Sequence, residues 1–411
     1  MKNRRLLFVG GSGDPGGLHV HTADVAHAAA SLGIPVKIVS VNRNYFADLL
    51  PPDVIDIEHI EKLSYQDLII KPQRIGFLRS AIWASVLLRH PGCDIVFCRG
   101  AFAETPIAEL LMARAAGRRI YTIEHSPLAF AWRSIFSKRH YGGVMNACVR
   151  RTIVVSSQIS QIATTEFGVV GEKLQFCANW VDPMFGVPTA AERRVARKRL
   201  ELSDDVQVIG YLGRLGPEKY IDVLIEAFAA ARRHRPAAAI VLVIAGDGWY
   251  RSEIERQVRT SGVADQIRLV GWQTDPRAIY HALDLFVLAS PLEGFPLGLI
   301  EAMATGLPCI AHPMASTLQL IDNGRNGLVS DISTASLLSG RLIELLEADV
   351  ATRRFIGDAA ARTIATTYSR AARLPAVLQA LDISLEGVAL PPPFPRTLTY
   401  RHAQDRPTAA R

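Results

Sequence analysis

The sequence predicts an α/β protein made of two doubly wound, Rossmann-like domains that face each other across a cleft. Short apolar, β-branched runs alternate with longer amphipathic segments along the chain, as parallel strands joined by crossover helices require. The 411 residues exceed what one compact core holds, so two domains of ordinary size are expected. Each half also repeats one plan of strand, glycine-containing turn and helix, which places a ligand cleft at the carboxyl ends of the strands.

In the first half, strands are read at 5–9, 36–41, 94–98, 119–123 and 152–155. A helical pattern spans 21–32 and ends at Gly33, a residue suited to the left-handed cap. Asn179-Trp180-Val181-Asp182-Pro183, followed by a charged helix at 190–200, reads as the connection between domains 1–185 and 186–368. The second half shows strands at 206–212, 240–245, 267–270, 285–288 and 308–311. A further helix lies at about 369–381 within a segment 369–386. From 387 to 411 the chain is proline-rich and basic and is expected to be mobile.

Composition excludes several classes. Hydrophobic residues make up 49% and charged residues 21%, which suits a globular chain and argues against disorder. The longest apolar stretch, 237–245, is half the length of a membrane span, and the apolar run after the basic start covers only 6–9. Five scattered cysteines, none in a C-x-x-C pair, fit a reducing, cytoplasmic setting without disulfide framework or zinc site. The net charge of +7 is not gathered into one run, so a nucleic-acid partner is not expected. Local clusters at Arg118-Arg119, Lys138-Arg139-His140 and Arg150-Arg151 fit equally a solvated face or peripheral contact with anionic lipid at a membrane or with phosphate ligands.

The sharpest motif runs from Ala289 to Ile310, with Glu293 on a Gly/Pro loop and Glu301 about one turn inside a helix that starts near Leu297. Backbone N–H groups around Phe295, Pro296, Leu297 and Gly298 would face an anion at that helix start. Ionised carboxylates accept hydrogen bonds only, so the two glutamates suit sugar hydroxyls and a ribose diol. A second motif, Gly213-Arg214-Leu215-Gly216-Pro217-Glu218-Lys219, follows a strand directly and offers a planar and a mobile cation on one turn, as a diphosphate needs. A third, Gly10 to Gly17, contains a formal G-x-G-x-x-G match at Gly11, Gly13 and Gly16. A dinucleotide site is disfavoured, because Ser40-Val41-Asn42 stand where an acidic residue would hold a ribose. This loop is read instead as closing over a phosphate or an acceptor from the opposite wall.

His125 ends a strand beside Glu124, where α/β sites gather functional side chains. His19 and His21 open the first helix and either bind an acceptor or face solvent. No Asp-x-Asp triplet occurs, nor any nucleophile elbow, H-E-x-x-H or P-loop. Neither a metal nor another cofactor is therefore expected.

Together these residues resemble the retaining glycosyltransferases of family 4, with the GT-B fold, from the glycine loop to about Tyr368. Gly16-Gly17 with His21 and Asp24 is similar to the family's opening motif, with His19 where an acidic residue is common. Gly213 to Lys219 resembles its phosphate turn, with Tyr220 in place of the usual glycine. Glu293 to Glu301 matches its E-x7-E signature, and Asn179 to Asp182, Ala245 to Gly248 and Asn323 to Gly327 are also familiar. A glutamate frequent before Asn323 is missing, with Gln319 nearby.

The resemblance implies that Arg214 and Lys219 neutralise a departing diphosphate, Glu301 holds the ribose and Glu293 the donor sugar. It implies that His125 lines the sugar pocket, that Glu124 or His19 touches the acceptor, and that the last helix crosses back to the first domain. The donor would be a UDP- or GDP-linked sugar, and the acceptor a cell-envelope glycan, a lipid-linked sugar or a small molecule. Transfer would be front-face and retaining. Two alternatives share the plan: a sugar-nucleotide epimerase or phosphorylase, and a catalytically inactive sugar-nucleotide-binding accessory protein.

Overall fold

The computed structural model describes residues 4–10, 16–40, 46, 50, 55–59, 72–100, 107–127 and 138–393. Side chains are described for all of these except 59 and 72–80. Gly11 and Gly13 of the third motif lie outside the described residues, as does the chain from 394 onward.

Two wholly parallel sheets form. The first contains β1 (Leu6–Gly10), β2 (Val36–Ser40), β3 (Asp56–His59), β4 (Asp94–Arg99), β5 (Ile120–Glu124), β6 (Arg151–Val154) and β7 (Leu174–Phe176), in the order β3-β2-β1-β4-β5-β6-β7. The second contains β8 (Gln207–Leu212), β9 (Ile240–Ala245), β10 (Ile267–Gly271), β11 (Leu285–Leu288), β12 (Cys309–Ala311) and β13 (Leu328–Val329), in the order β10-β9-β8-β11-β12-β13. Both orders reverse direction around the first strand of the domain, and the crevice at that switch point opens at the strands' carboxyl ends. Central strands β1, β4 and β5 are buried along their whole length. Helices cover both faces, which is why these strands read as unbroken apolar runs.

Three strands escaped the sequence reading: β3, β7 and β13. Each is a sheet edge of two to four residues. Such strands bury too little to carry an apolar signature, and β7 exposes Phe176.

Helix Gly17–Ser31 is buried along almost its whole length, and its small residues Ala23, Ala26, Ala28 and Ala29 allow close packing on both sides. It ends, as expected, before Gly33, whose φ is +78°. The connecting helix Ala190–Arg199 starts in a reciprocal capping box: Thr189 Oγ1 accepts from the Glu192 N–H at 3.2 Å, and Glu192 accepts from the Thr189 N–H at 2.8 Å. Where the two interdomain crossings meet, the Val181 N–H donates to the Tyr368 carbonyl at 2.9 Å.

The last helix, Arg370–Ala380, lies on the first domain, where Leu374, Val377, Leu378 and Leu381 join a core with Leu6, Phe8, Ala26 and Val96. Arg4 donates to the Asp382 carbonyl at 2.7 Å, and the Tyr121 hydroxyl to the Asp382 carboxylate at 2.8 Å. The tail expected to be mobile from 387 is instead held as far as Pro391, which is buried and whose carbonyl accepts from Arg370. A buried guanidinium needs acceptors, and this backbone supplies one.

Candidate active site

The phosphate turn is built on β8. The Gly213 N–H donates to the Ala245 carbonyl at 3.0 Å and the Leu215 N–H to the Asp247 carbonyl at 2.9 Å, so the loop after β9 underpins the turn. Gly246 has a φ of +134°, and a Cβ there would stand 1.8 Å from the Gly213 carbonyl oxygen. Glycine is therefore obligatory at 246. On this platform Arg214 pairs with Glu218, and Lys219 Nζ lies 2.6 Å from Glu293 Oε1. The Lys219 and Glu293 side chains retain only 15% and 18% of their exposure, so this pair is partly shielded from solvent.

The Glu293–Glu301 motif forms helix Leu297–Ala304. Its N-cap is Pro296, which carries no side-chain acceptor, so the first-turn N–H groups are left for an anion. Glu301, one turn in, accepts from the buried Tyr280 hydroxyl at 2.9 Å. Buried Phe295 has its carbonyl bound by Asn179 Nδ2 at 3.3 Å, which ties the donor loop to the interdomain connection. Ser316 Oγ donates to the Glu293 carbonyl at 3.4 Å.

The first domain supplies a different wall. His19 and His21 are 0% and 4% exposed, which rules out the solvent-facing alternative for both. The His21 ring lies 4.8 Å from that of His125 and 4.3 Å from that of Trp180. Burial pushes the His125 pKa down to about 3, with His19 adding to the effect, and that of His19 down to about 4. Burial, then His125, lowers that of His21 well below its ordinary value. All three imidazoles are neutral at physiological pH and bring no charge to a diphosphate. Both ring nitrogens of His21, and Nε2 of His125, have no hydrogen-bond partner among the described residues. Glu124, at the end of β5, is also buried.

The walls touch at several points. A Cβ on Gly294 would come within 1.7 Å of the His125 carbonyl oxygen, so only glycine permits this approach of the Glu293 loop to β5. Gly17 faces Leu297 less tightly, with 2.7 Å between a Cβ placed there and Leu297 Cδ1, the end of a flexible side chain. Gln319, from helix Ala315–Leu320, donates to Ser157 Oγ of the first domain at 2.7 Å. Between the walls a small cavity of about 20 Å³ is lined by Val20, His21, Asp24, Trp180, Asp182, Leu297 and Glu301. Beneath it Asp24 accepts from Trp180 Nε1 at 2.8 Å and from Arg370 Nε at 2.9 Å. That buried cluster joins the first helix, the interdomain connection and the last helix.

The structure thus gathers Lys219 with Glu293, His21 with His125, and Glu301 with His21 around one cleft. It leaves Gly16 apart: its φ of −174° is extended backbone, and a Cβ there would meet nothing within 4 Å among the described residues. Sequence reasoning missed Tyr280 and the Asp24–Trp180–Arg370 cluster. Tyr280 sits mid-helix with no motif around it, and the cluster joins residues hundreds of positions apart. Among the described residues no group of three or more His, Cys, Asp or Glu is disposed to hold an ion, and no helix is long and apolar enough to cross a membrane.

Comparison with known proteins bears on this geometry. Residues 15–185 match the model of Glycosyltransferase Family 4, and residues 192–363 that of Glycosyl transferases group 1, which together take in most of the chain. The chain is 27% identical over 283 residues to the Escherichia coli UDP-Gal:alpha-D-GlcNAc-diphosphoundecaprenol alpha-1,3-galactosyltransferase, covering 66% of this chain and 70% of that protein. It is 24% identical over 365 residues to a D-inositol 3-phosphate glycosyltransferase of Thermobispora bispora, covering 82% and 83%. Among solved structures, Anabaena Alr3699/HepE in complex with UDP and glucose superposes with a TM-score of 0.75 at 20% identity, over 92% of this chain and all of that one. The fold is GT-B.

Proposed function

The chain belongs to the family 4, group 1 glycosyltransferases, and from that premise we propose that it moves a sugar from UDP to a lipid-linked or glycan acceptor, with retention and without a metal. That it is a glycosyltransferase with a sugar-nucleotide donor follows from the family. The finer reading rests above all on one observation: two cations and a helix start without a side-chain cap lie in one domain, across a cleft from buried imidazoles that carry no charge.

Arg214 and Lys219 would leave Glu218 and Glu293 for the diphosphate, with the N–H groups of Leu297 and Gly298 completing the cradle. Positive charge fixed in advance where negative charge develops is usually the largest single catalytic term. Glu293, freed from Lys219, would accept hydroxyls of the donor sugar, and Glu301 the ribose diol. His125, neutral and buried, can share a hydrogen bond with a sugar hydroxyl but offers no carboxylate nucleophile. This supports front-face transfer, in which the leaving phosphate takes the acceptor's proton. The UDP in the HepE complex and the lipid-diphosphate acceptor named for the E. coli relative support the choice of donor and acceptor. A lipid-linked acceptor would bring the protein to the inner face of a membrane as a peripheral enzyme.

The test is turnover of UDP- and GDP-sugars with sugar-diphosphate-polyprenol acceptors, the product's anomeric coupling being read by NMR. An α-linked product from an α-linked donor is expected. A β-linked product would overturn retention, and free nucleotide with free or epimerised sugar and no acceptor product would favour the epimerase or phosphorylase reading.

A further inference from the structure

We infer that Tyr280 is a positioning residue for nucleotide recognition: its hydroxyl, bound at once to the Glu301 carboxylate and the first turn of the donor helix, fixes the orientation in which Glu301 meets the ribose. The inference rests on the ribose role proposed for Glu301.

Tyr280 lies on helix Pro276–Ala282, between β10 and β11, and its side chain is wholly buried. The hydroxyl stands 2.9 Å from Glu301 Oε2 and 3.2 Å from the Gly298 carbonyl oxygen. These acceptors belong to one helix, Gly298 in its opening turn and Glu301 a turn further on. One phenol therefore spans the segment that presents both the anion-binding N–H groups and the ribose-binding carboxylate.

The ring cannot swing away. It packs edge-on against Phe185, with centroids 5.8 Å apart, and tilted against Phe286 at 5.7 Å. Phe185 closes the interdomain connection and Phe286 is in β11, so the phenol is held between that connection and the sheet that carries the cradle. Burial, and then the neighbouring Glu301, push the Tyr280 pKa well above the ordinary phenol value, so the hydroxyl keeps its proton and acts as donor. A glutamate on an exposed helix face samples several rotamers. One oxygen held by a buried donor removes that freedom, and a carboxylate has lone pairs enough to accept ribose hydroxyls as well.

Pyrophosphate would be held by Arg214, Lys219 and the backbone N–H groups; the phenol meets that turn only at the Gly298 carbonyl and holds the Glu301 side chain directly, so the loss is expected at the ribose. The experiment compares wild type with Tyr280→Phe by calorimetry, using UDP, GDP, their 2′,3′-dideoxy forms and inorganic pyrophosphate. In wild type, loss of the diol is expected to weaken binding about tenfold. In Tyr280→Phe the ribonucleotide is expected to lose about fivefold to tenfold, the dideoxy form to bind nearly as before, and pyrophosphate to be unchanged. Phe185→Leu serves as the second variant. It removes one of the two aromatic contacts on the ring and leaves Phe286 and the hydroxyl in place, so the diol penalty should persist.

A Tyr280→Phe protein that keeps the full diol penalty would overturn the inference. So would one in which UDP and pyrophosphate weaken equally, which marks a general packing role, or a Phe185→Leu protein that loses the penalty. If Glu301→Ala also keeps the full penalty, the ribose role of Glu301 fails, a result separable from failure at Tyr280 alone.

Discussion

The two walls of the cleft are built by opposite means. The second domain presents charges on short contiguous motifs, Gly213 to Lys219 and Glu293 to Glu301, and keeps them paired, with Lys219 on Glu293 and Arg214 on Glu218. The first domain presents neutral imidazoles drawn from helix Gly17–Ser31 and from the end of β5, buried, with both nitrogens of His21 and Nε2 of His125 lacking a hydrogen-bond partner among the described residues. On the proposed reading the difference divides the work: one wall would stabilise a leaving anion, and the other would shape the pocket opposite it.

The comparison can be broken at its charged side first. Lys219→Met is expected to lower the transfer rate about 10²–10³-fold, the range for removing one preorganised donor to a developing oxyanion. A steady-state assay under saturating donor checks this, and a loss below threefold would remove Lys219 from the cradle. Next in size is the support beneath both walls. Asp24→Ala strands the buried Arg370, and removal of one partner of a buried pair costs about 3–5 kcal/mol. Urea unfolding should show it. A cost below about 1 kcal/mol would mean the cluster is bridged by other groups.

The neutral wall is tested by pH. In the unfolded chain each histidine titrates near 6.5. In the native state His19 titrates near 4, His125 near 3 and His21 well below its ordinary value. Below about 6.5 the unfolded chain therefore binds protons that the native protein refuses. This contribution to stability is complete above that pH, falls as pH drops, and is lost once pH passes the native values. The slope is at most about 1.4 kcal/mol per pH unit for each histidine. Stability from denaturant melts at pH 7, 6 and 5 should fall accordingly, and fall less in His125→Gln; a wild-type stability that does not change over this range would contradict a neutral buried cluster. The smallest expected effect is at Tyr220, which has a φ of +49° at the start of helix Ile221–His234. Tyr220→Gly should stabilise by about 1 kcal/mol by relieving the left-handed backbone. A loss of stability would mean that the ring's packing outweighs that relief.

The same contrast decides what the sequence could reveal. The phosphate turn and the Glu293–Glu301 segment were legible because each is one stretch between a strand and a helix, with its glycines and charges a few residues apart. The strands beneath them were legible as buried apolar runs. The histidine wall was not, although His19, His21 and His125 each drew notice, because what makes them a wall is contact across a hundred positions and with Trp180. Position alone left His19 and His21 open between acceptor and solvent, and burial settles that half of the question. Tyr280 was invisible for the same reason: its partner Glu301 is 21 residues away and on another helix.

The central claim is that Arg214, Lys219 and the amides at the start of helix Leu297–Ala304 suffice to hold the donor's diphosphate. Calorimetric titration of UDP into the protein, once in EDTA and once in magnesium chloride, tests it most directly. The account predicts equal affinity in both buffers and a loss of about 1.5–3 kcal/mol in Lys219→Ala, as for a hydrogen bond to a charged group. Binding that appears only with the divalent ion, or that is indifferent to Lys219, would contradict it.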